Sequence, residues 1–167
     1  MSSSESTLSR LEETIQAEVG VESEPWVYEV TTTAIRAFAR GVGYDDPVYY
    51  DVDAARAAGY EALPAPPGLV GTPVYVPGRS DETFSVPLGT GPRPRFGLEH
   101  VLDGSTEVFY ERPLVAGDVL TMTTKLVDAA VKESKKLGTM VVATVESTGR
   151  DDEGSVVVRE RSQFIFY

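Results

Sequence analysis

Beyond residue 100 the apolar side chains recur at every second position through long stretches, and no other feature restricts the fold as much. This alternation predicts strands over 107–112, 119–130, 139–147 and 156–166. Turn signals separate them at Ala116-Gly117-Asp118, at 135–138 and at 149–154. Long consecutive strands joined by short turns pair as an antiparallel meander. In the last strand Val156, Val158, Ser162, Phe164 and Phe166 share one face, and Val157, Arg159, Arg161, Gln163 and Ile165 share the other. One face is mostly apolar and needs a cover. The front of the chain offers one. Leu8, Leu11, Ile15 and Val19 recur at helical spacing, and Gly20 is placed to end that helix. Pro25 breaks the pattern, and 26–30 reads as a short strand. One of Thr31, Thr32 and Thr33 caps a second helix with Ile35, Phe38 and Ala39 on one side, closed by Gly41 and Gly43. A short alanine-rich helix over 51–58 stops at Gly59. The expectation is α+β, with a helix and flexible serine-rich start over 1–24 and a single domain over 25–167.

Composition narrows the function. The 167 residues carry 15 basic and 26 acidic side chains, a net charge of −11, which argues against nucleic acid. There is no cysteine, so disulfides, thiolate metal sites and thiol nucleophiles drop out, and one histidine builds no His-rich metal centre. The expected metal complement is none. The first residues lack the basic and apolar regions of a signal peptide, and no apolar run approaches the ~18 residues of a membrane span. A cytoplasmic protein that touches neither membrane nor nucleic acid is expected.

Most of the 11 prolines fall between Leu63 and Pro94, where 77–94 reads as a long loop. No G-x-S-x-G elbow occurs, and Gly89-Thr90-Gly91-Pro92-Arg93 lacks the lysine of a phosphate loop. Lys132, Lys135 and Lys136 read as a solvated hairpin tip. Asp45 and Asp46 read either as a carboxylate pair or as capping residues of a turn. His100 is a structural histidine or, less simply, a general base in need of a partner.

Five segments in order carry a resemblance: IRAFARGVG (35–43), YDDPVYYD (44–51), AARAA (54–58), APPGLV (65–70) and RPLVAGDVL (112–120). Together they resemble the MaoC-like hydratase and dehydratase superfamily, and most of all its N-terminal-type, non-catalytic-subunit-like domain. Such domains occur in hydroxyacyl dehydratases of fatty-acid synthesis and in heteromeric enoyl-CoA hydratases of steroid metabolism. The resemblance implies a hotdog fold, an antiparallel sheet wrapped around a central helix. It places that helix at about 66–75 and an overhang loop at about 77–96.

Family hydratases carry G-D-x-N-P-x-H-x-D, whose aspartate and histidine position the water added to a 2-enoyl thioester. Matching Asp46-Pro47 to the asparagine-proline pair puts Tyr44 at the aspartate and Tyr49 at the histidine, with Asp51 keeping the last acid. A phenol with a pKa near ~10 is a poor base at neutral pH. The family's oxyanion-binding amide falls on Pro67, which has no N–H, or one residue on at Gly68. The resemblance therefore implies no catalytic residue in this chain. It implies a subunit that shapes an acyl pocket within a heterodimer or heterotetramer, while a dyad-bearing hotdog partner supplies the aspartate and histidine. Asp46, Pro47, Pro66, Pro67, Gly68, Arg93 and Arg95 are the expected substrate-binding residues, and Arg112 a further candidate for coenzyme A phosphates. Coenzyme A or an acyl-carrier thioester enters as substrate, and no cofactor is implied. Two alternatives stand beside this: a self-sufficient homodimeric enzyme using His100, Asp45 or Glu99, and a non-enzymatic acyl-CoA-binding module.

Overall fold

One antiparallel sheet organises the protein, whose structure is a computed structural model describing residues 2–70, 96–98 and 100–167. Its strands are β1 (Trp26–Glu29), β2 (Val101–Tyr110), β3 (Val119–Ser134), β4 (Gly138–Arg150) and β5 (Val156–Phe166), in the order β1-β3-β4-β5-β2. The last three form the meander that the alternation predicts. β2 precedes them in sequence yet lies at the far edge beside β5. The helices are α1 (Ser2–Glu18), α2 (Thr32–Val42) and α3 (Val52–Ala57), with a 3-10 turn at Pro47–Tyr49. No helix among the described residues is long and apolar enough to cross a membrane.

Local chemistry sets the helix ends. The Thr31 hydroxyl accepts from the Ala34 amide at 3.1 Å and opens α2. Gly43 closes it with φ 82°, a left-handed conformation that suits glycine. The Asp51 carboxylate accepts from the amides of Asp53 and Ala54 at 2.7 and 3.1 Å and opens α3.

Four expectations need correction. α1 begins at Ser2, so the serine-rich start is helical; serine lies only a few tenths of a kcal/mol, about 0.5, below alanine in helix preference. β2 begins at Val101, six residues before the predicted start, with a register shift between Asp103 and Ser105. β3 and β4 run on to Ser134 and Arg150, and the lysine-bearing tip is confined to 135–137. The helix placed at 66–75 does not start at Pro66. Residues 67–70 form turns and bends, and Gly68 has φ 85°, which a right-handed helix does not pass through. The remainder of that helix and the overhang up to residue 95 lie outside the described residues.

The sheet buries one face. At one end Leu120, Met122 and Val158 pack with Tyr28, with Ile35 of α2 and with Leu63, Leu69 and Val70. At the other, Leu126, Val141 and Ala143 pack with Leu11 and Ile15 of α1 and with Phe96, whose ring meets Phe166 edge-on at 5.2 Å. The opposite face carries ion pairs: Arg161 with Glu146 at 2.7 Å, Lys125 with Glu146 at 3.8 Å and Arg159 with Glu111 at 2.8 Å.

Candidate functional site

The loop from Tyr44 to Asp51 is held from several sides. The Tyr44 amide donates to Ala39 O at 2.8 Å, continuing the end of α2. The Asp46 carboxylate accepts from the Val48 amide at 3.0 Å and caps the 3-10 turn, with Pro47 at its first position. Arg36 of α2 donates from Nε and Nη2 to Tyr50 O at 3.2 and 2.8 Å, and the Tyr50 hydroxyl donates to Tyr44 O at 2.6 Å. This frame stacks the rings of Tyr44 and Tyr49, with centroids 5.8 Å apart and planes 25° apart. Tyr44 is 40% exposed, and Tyr49 is half-buried against the larger core cluster. Burial first, then the charge of Asp46 and the neighbouring phenols, raises the pKa of Tyr49 above its ordinary value. With its pKa raised, Tyr49 is ionised in a still smaller fraction at neutral pH than a free phenol, so it offers less phenolate to act as a base. Asp45, within this loop, is exposed.

The 63–70 segment contributes Leu63, Leu69 and Val70 to the core cluster against which Tyr49 packs. Its backbone is tied to the loop before β3: Ala65 N donates to Leu114 O at 2.7 Å and Ala116 N to Leu63 O at 2.8 Å. Pro66 is buried, while Pro67 and Gly68 are exposed. A Cβ on Gly68 would stand 3.5 Å from the Phe38 ring, an ordinary contact, so its positive φ and not crowding calls for glycine. Tyr28 donates its hydroxyl to Leu69 O at 2.9 Å, and burial, with Tyr110 and Glu160 adding, pushes its pKa up to about 12. Tyr28 lies on one edge strand and Tyr110 on the other, and both belong to the same core cluster on the buried face.

Tyr110, Glu160 and Trp26 are the residues that sequence reasoning missed. The Tyr110 hydroxyl and Trp26 Nε1 are buried with no hydrogen-bond partner among the described residues. Burial raises the pKa of Tyr110; the Gly68 amide faces its oxygen and opposes this without completing a hydrogen bond. Burial also raises the pKa of Glu160, against a hydrogen bond from Ser162 and with Asp103 adding to the rise. An unpaired buried polar group costs about 1–3 kcal/mol, so this region carries a stability penalty. The signal was available: an acid stands between Val158 and Ser162 in the alternation of β5.

The other expected residues are dispersed. His100 precedes β2, is exposed, pairs its backbone with Tyr167 and sets its ring 5.2 Å from the Tyr167 ring. At about 3.3 Å per residue it stands roughly 30 Å along β2 from Tyr110, which packs against the same core cluster as Tyr49. Arg112 is not free for a phosphate: Nη1 and Nη2 bind the Asp118 carboxylate at 2.8 and 3.0 Å. Arg93, Arg95 and Glu99 lie outside the described residues.

The sheet order and the helix-and-loop segment before it define the class: a hotdog fold, shared with a MaoC-like dehydratase among the solved structures. The family model described as FAS1-like, dehydratase domain region, matches residues 17–160, and the chain belongs to that family. A UPF0336 protein of Streptomyces avermitilis is 35% identical over 133 residues, 78% of this chain and 79% of its own. One of Clavibacter michiganensis subsp. michiganensis is 33% identical over 138 residues, 83% and 85% of the two chains. Among solved structures, a chain of the ChsH1–ChsH2 complex of Mycobacterium tuberculosis aligns with a TM-score of 0.71 at 20% identity, covering 95% of this chain and 96% of that one. A chain of the C-terminally truncated HadBC (3R-hydroxyacyl-ACP dehydratase) complex of the same organism aligns with a TM-score of 0.63 at 20% identity, covering 88% and 96%. The MaoC-like dehydratase of Rhodospirillum rubrum gives 0.58 at 23%, covering 89% and 92%. These structures share the fold, and the first two are complexes of two different subunits.

Proposed function

We propose that this chain is the acyl-pocket subunit of a cytoplasmic, heteromeric (R)-specific 2-enoyl-thioester hydratase or 3-hydroxyacyl dehydratase, acting on coenzyme A or acyl-carrier thioesters. The observation that carries the reading is the stacked pair Tyr44–Tyr49, held by an intact loop frame at the two positions where family hydratases place an aspartate and a histidine. A phenol is a poor general base at neutral pH, and losing a positioned acid–base group costs roughly 10²–10⁴ in rate. The dyad comes from a second hotdog subunit. A docking edge is available for it. β2 has no strand partner on its outer side among the described residues, and Leu102 and Phe109 on it are 46% and 53% exposed. Pairing with a second sheet removes such an open edge. The ChsH1–ChsH2 and HadBC complexes, each built from two kinds of subunit, support the arrangement by analogy.

The test is co-expression with a hotdog chain bearing an intact D-x-x-x-x-H, encoded beside this one. A stable complex that hydrates crotonyl-CoA, while this chain alone does not, supports the proposal. Full hydration by the lone chain sinks it.

A further inference from the structure

The buried face of the sheet is not uniformly apolar. A polar band runs across β3, β4 and β5 between its two apolar ends and reaches the exposed Thr106 on the β2 edge. Thr124 of β3 and Ser147 of β4 are register neighbours with hydroxyls 2.9 Å apart. Ser147 in turn stands opposite Glu160 of β5. Ser162 donates to Glu160 Oε1 at 3.2 Å, and its oxygen lies 3.0 Å from that of Thr106, its partner across β2. Tyr110 pairs with Val158, two residues from Glu160 on the same face, a diagonal spacing within reach of long side chains. Yet the Tyr110 hydroxyl is buried with no hydrogen-bond partner among the described residues and does not bond Glu160. A donor without an acceptor and a carboxyl group share one region and do not close on each other.

Buried polar side chains are nearly always paired, and each exception needs a cause. A hydrocarbon chain lying here would leave the Tyr110 hydroxyl unpaired. A hydroxyl pairs it, because its oxygen accepts from Tyr110 while its proton goes to a carboxyl oxygen of Glu160, which already accepts from Ser162. Glu160 keeps an acceptor oxygen whether charged or neutral, so the match does not depend on its protonation. We propose that Tyr110 and Glu160 form a specificity site for a hydroxyl group carried on the acyl chain of the thioester, beyond the reacting carbons. This rests on the proposed function only in taking an acyl thioester as ligand.

Binding tests it without any need for turnover. The full chain, alone and in complex with its dyad-bearing partner, is titrated calorimetrically with dodecanoyl-CoA and with its chain-hydroxylated positional isomers. At least one isomer should bind about tenfold tighter than dodecanoyl-CoA, the worth of roughly one net hydrogen bond. Tyr110→Phe and Glu160→Met should reduce that preference to about twofold and leave dodecanoyl-CoA affinity unchanged. Equal binding of every isomer, as when water alone fills the gap, overturns the inference, as does a preference that survives Tyr110→Phe or an absence of binding by any thioester. A complex that hydrates crotonyl-CoA but shows no hydroxyl preference defeats this inference alone. A hydroxyl preference without hydration in any complex defeats the subunit reading alone.

Discussion

Asp118→Ala should destabilise the protein by about 3 kcal/mol, and the structure says where that comes from. The carboxylate holds three donors: Arg112 Nη1 at 2.8 Å, Arg112 Nη2 at 3.0 Å and the Val115 amide at 2.8 Å. The Arg112 side chain is 40% exposed, so solvent screens the ion pair to about 1 kcal/mol or less. The Asp118 side chain is only 16% exposed, and a hydrogen bond from an amide to a charged group adds about 1.5–3 kcal/mol. The same loop anchors its neighbours, with Val30 N bonded to Asp118 O at 2.9 Å and Gly117 N to Val30 O at 2.8 Å. The total corresponds to a loss of about 6–12 °C in Tm for a chain of this length. Burial alone would raise the Asp118 pKa, but the Arg112 and Val115 bonds outweigh it and hold the carboxyl below its ordinary value. Its stabilising contribution is therefore present above the unfolded pKa of about 3.9 and is lost as pH falls through the folded value. Urea unfolding of wild type and Asp118→Ala should differ by a constant amount between about pH 5 and pH 8, converging in stronger acid. A difference below about 0.5 kcal/mol at pH 7, or one that grows toward acid, would refute the reasoning.

Gly149→Ala should lower stability by about 1–3 kcal/mol in urea unfolding, because the new Cβ would stand 2.7 Å from both Met122 Sδ and Val158 Cγ1 in the core; unchanged stability would mean that the core yields freely there. Glu160 has the opposite pH sign to Asp118. Burial raises its folded pKa, so the stability tied to its neutral form is full below the unfolded value of about 4.3 and is lost as pH rises through the folded value. Glu160→Gln should therefore gain on wild type in unfolding free energy as pH climbs from 4 to 8, and parallel profiles would contradict this. Leu102→Lys with Phe109→Glu should leave the chain folded by circular dichroism but weaken co-purification with the dyad-bearing partner at least tenfold; intact co-purification would place the interface elsewhere.

What the sequence revealed follows from where burial acts on one face only. β3, β4 and β5 alternate because one side is buried, so Leu120, Met122, Val141, Ala143 and Val158 were visible as strand positions. The first half of β2 was not visible. Residues 102–107 are exposed along this edge strand, and Gly104, whose Cβ would stand 3.0 Å from Gln163 O, sits where the register shifts. The cap at Thr31 was legible as one of three adjacent threonines because its side chain acts within three residues, whereas Asp51, read as the first residue of its helix, is the cap. The Arg112–Asp118 pair was legible only as part of a family-like motif, and the contact gives that motif a structural role. Tyr44 and Tyr49 stood out through the resemblance alone, since no periodicity marks a substituted base. Glu160 escaped because its strand was read for its apolar members, whereas the departure from the pattern held the information.

The central claim is that proton transfer belongs to another subunit, and the rate of crotonyl-CoA hydration, followed by loss of the enoyl thioester absorbance, tests it most directly. Four samples suffice: the lone chain, the complex, the complex with the partner's aspartate and histidine replaced, and the complex carrying Tyr44→Phe, Tyr49→Phe and His100→Ala in this chain. The account predicts no turnover by the lone chain, a loss of at least about 10²-fold when the partner's dyad is removed, and a change under about threefold for the triple substitution. Turnover by the lone chain at the rate of the complex, or loss of turnover on the triple substitution, would contradict it.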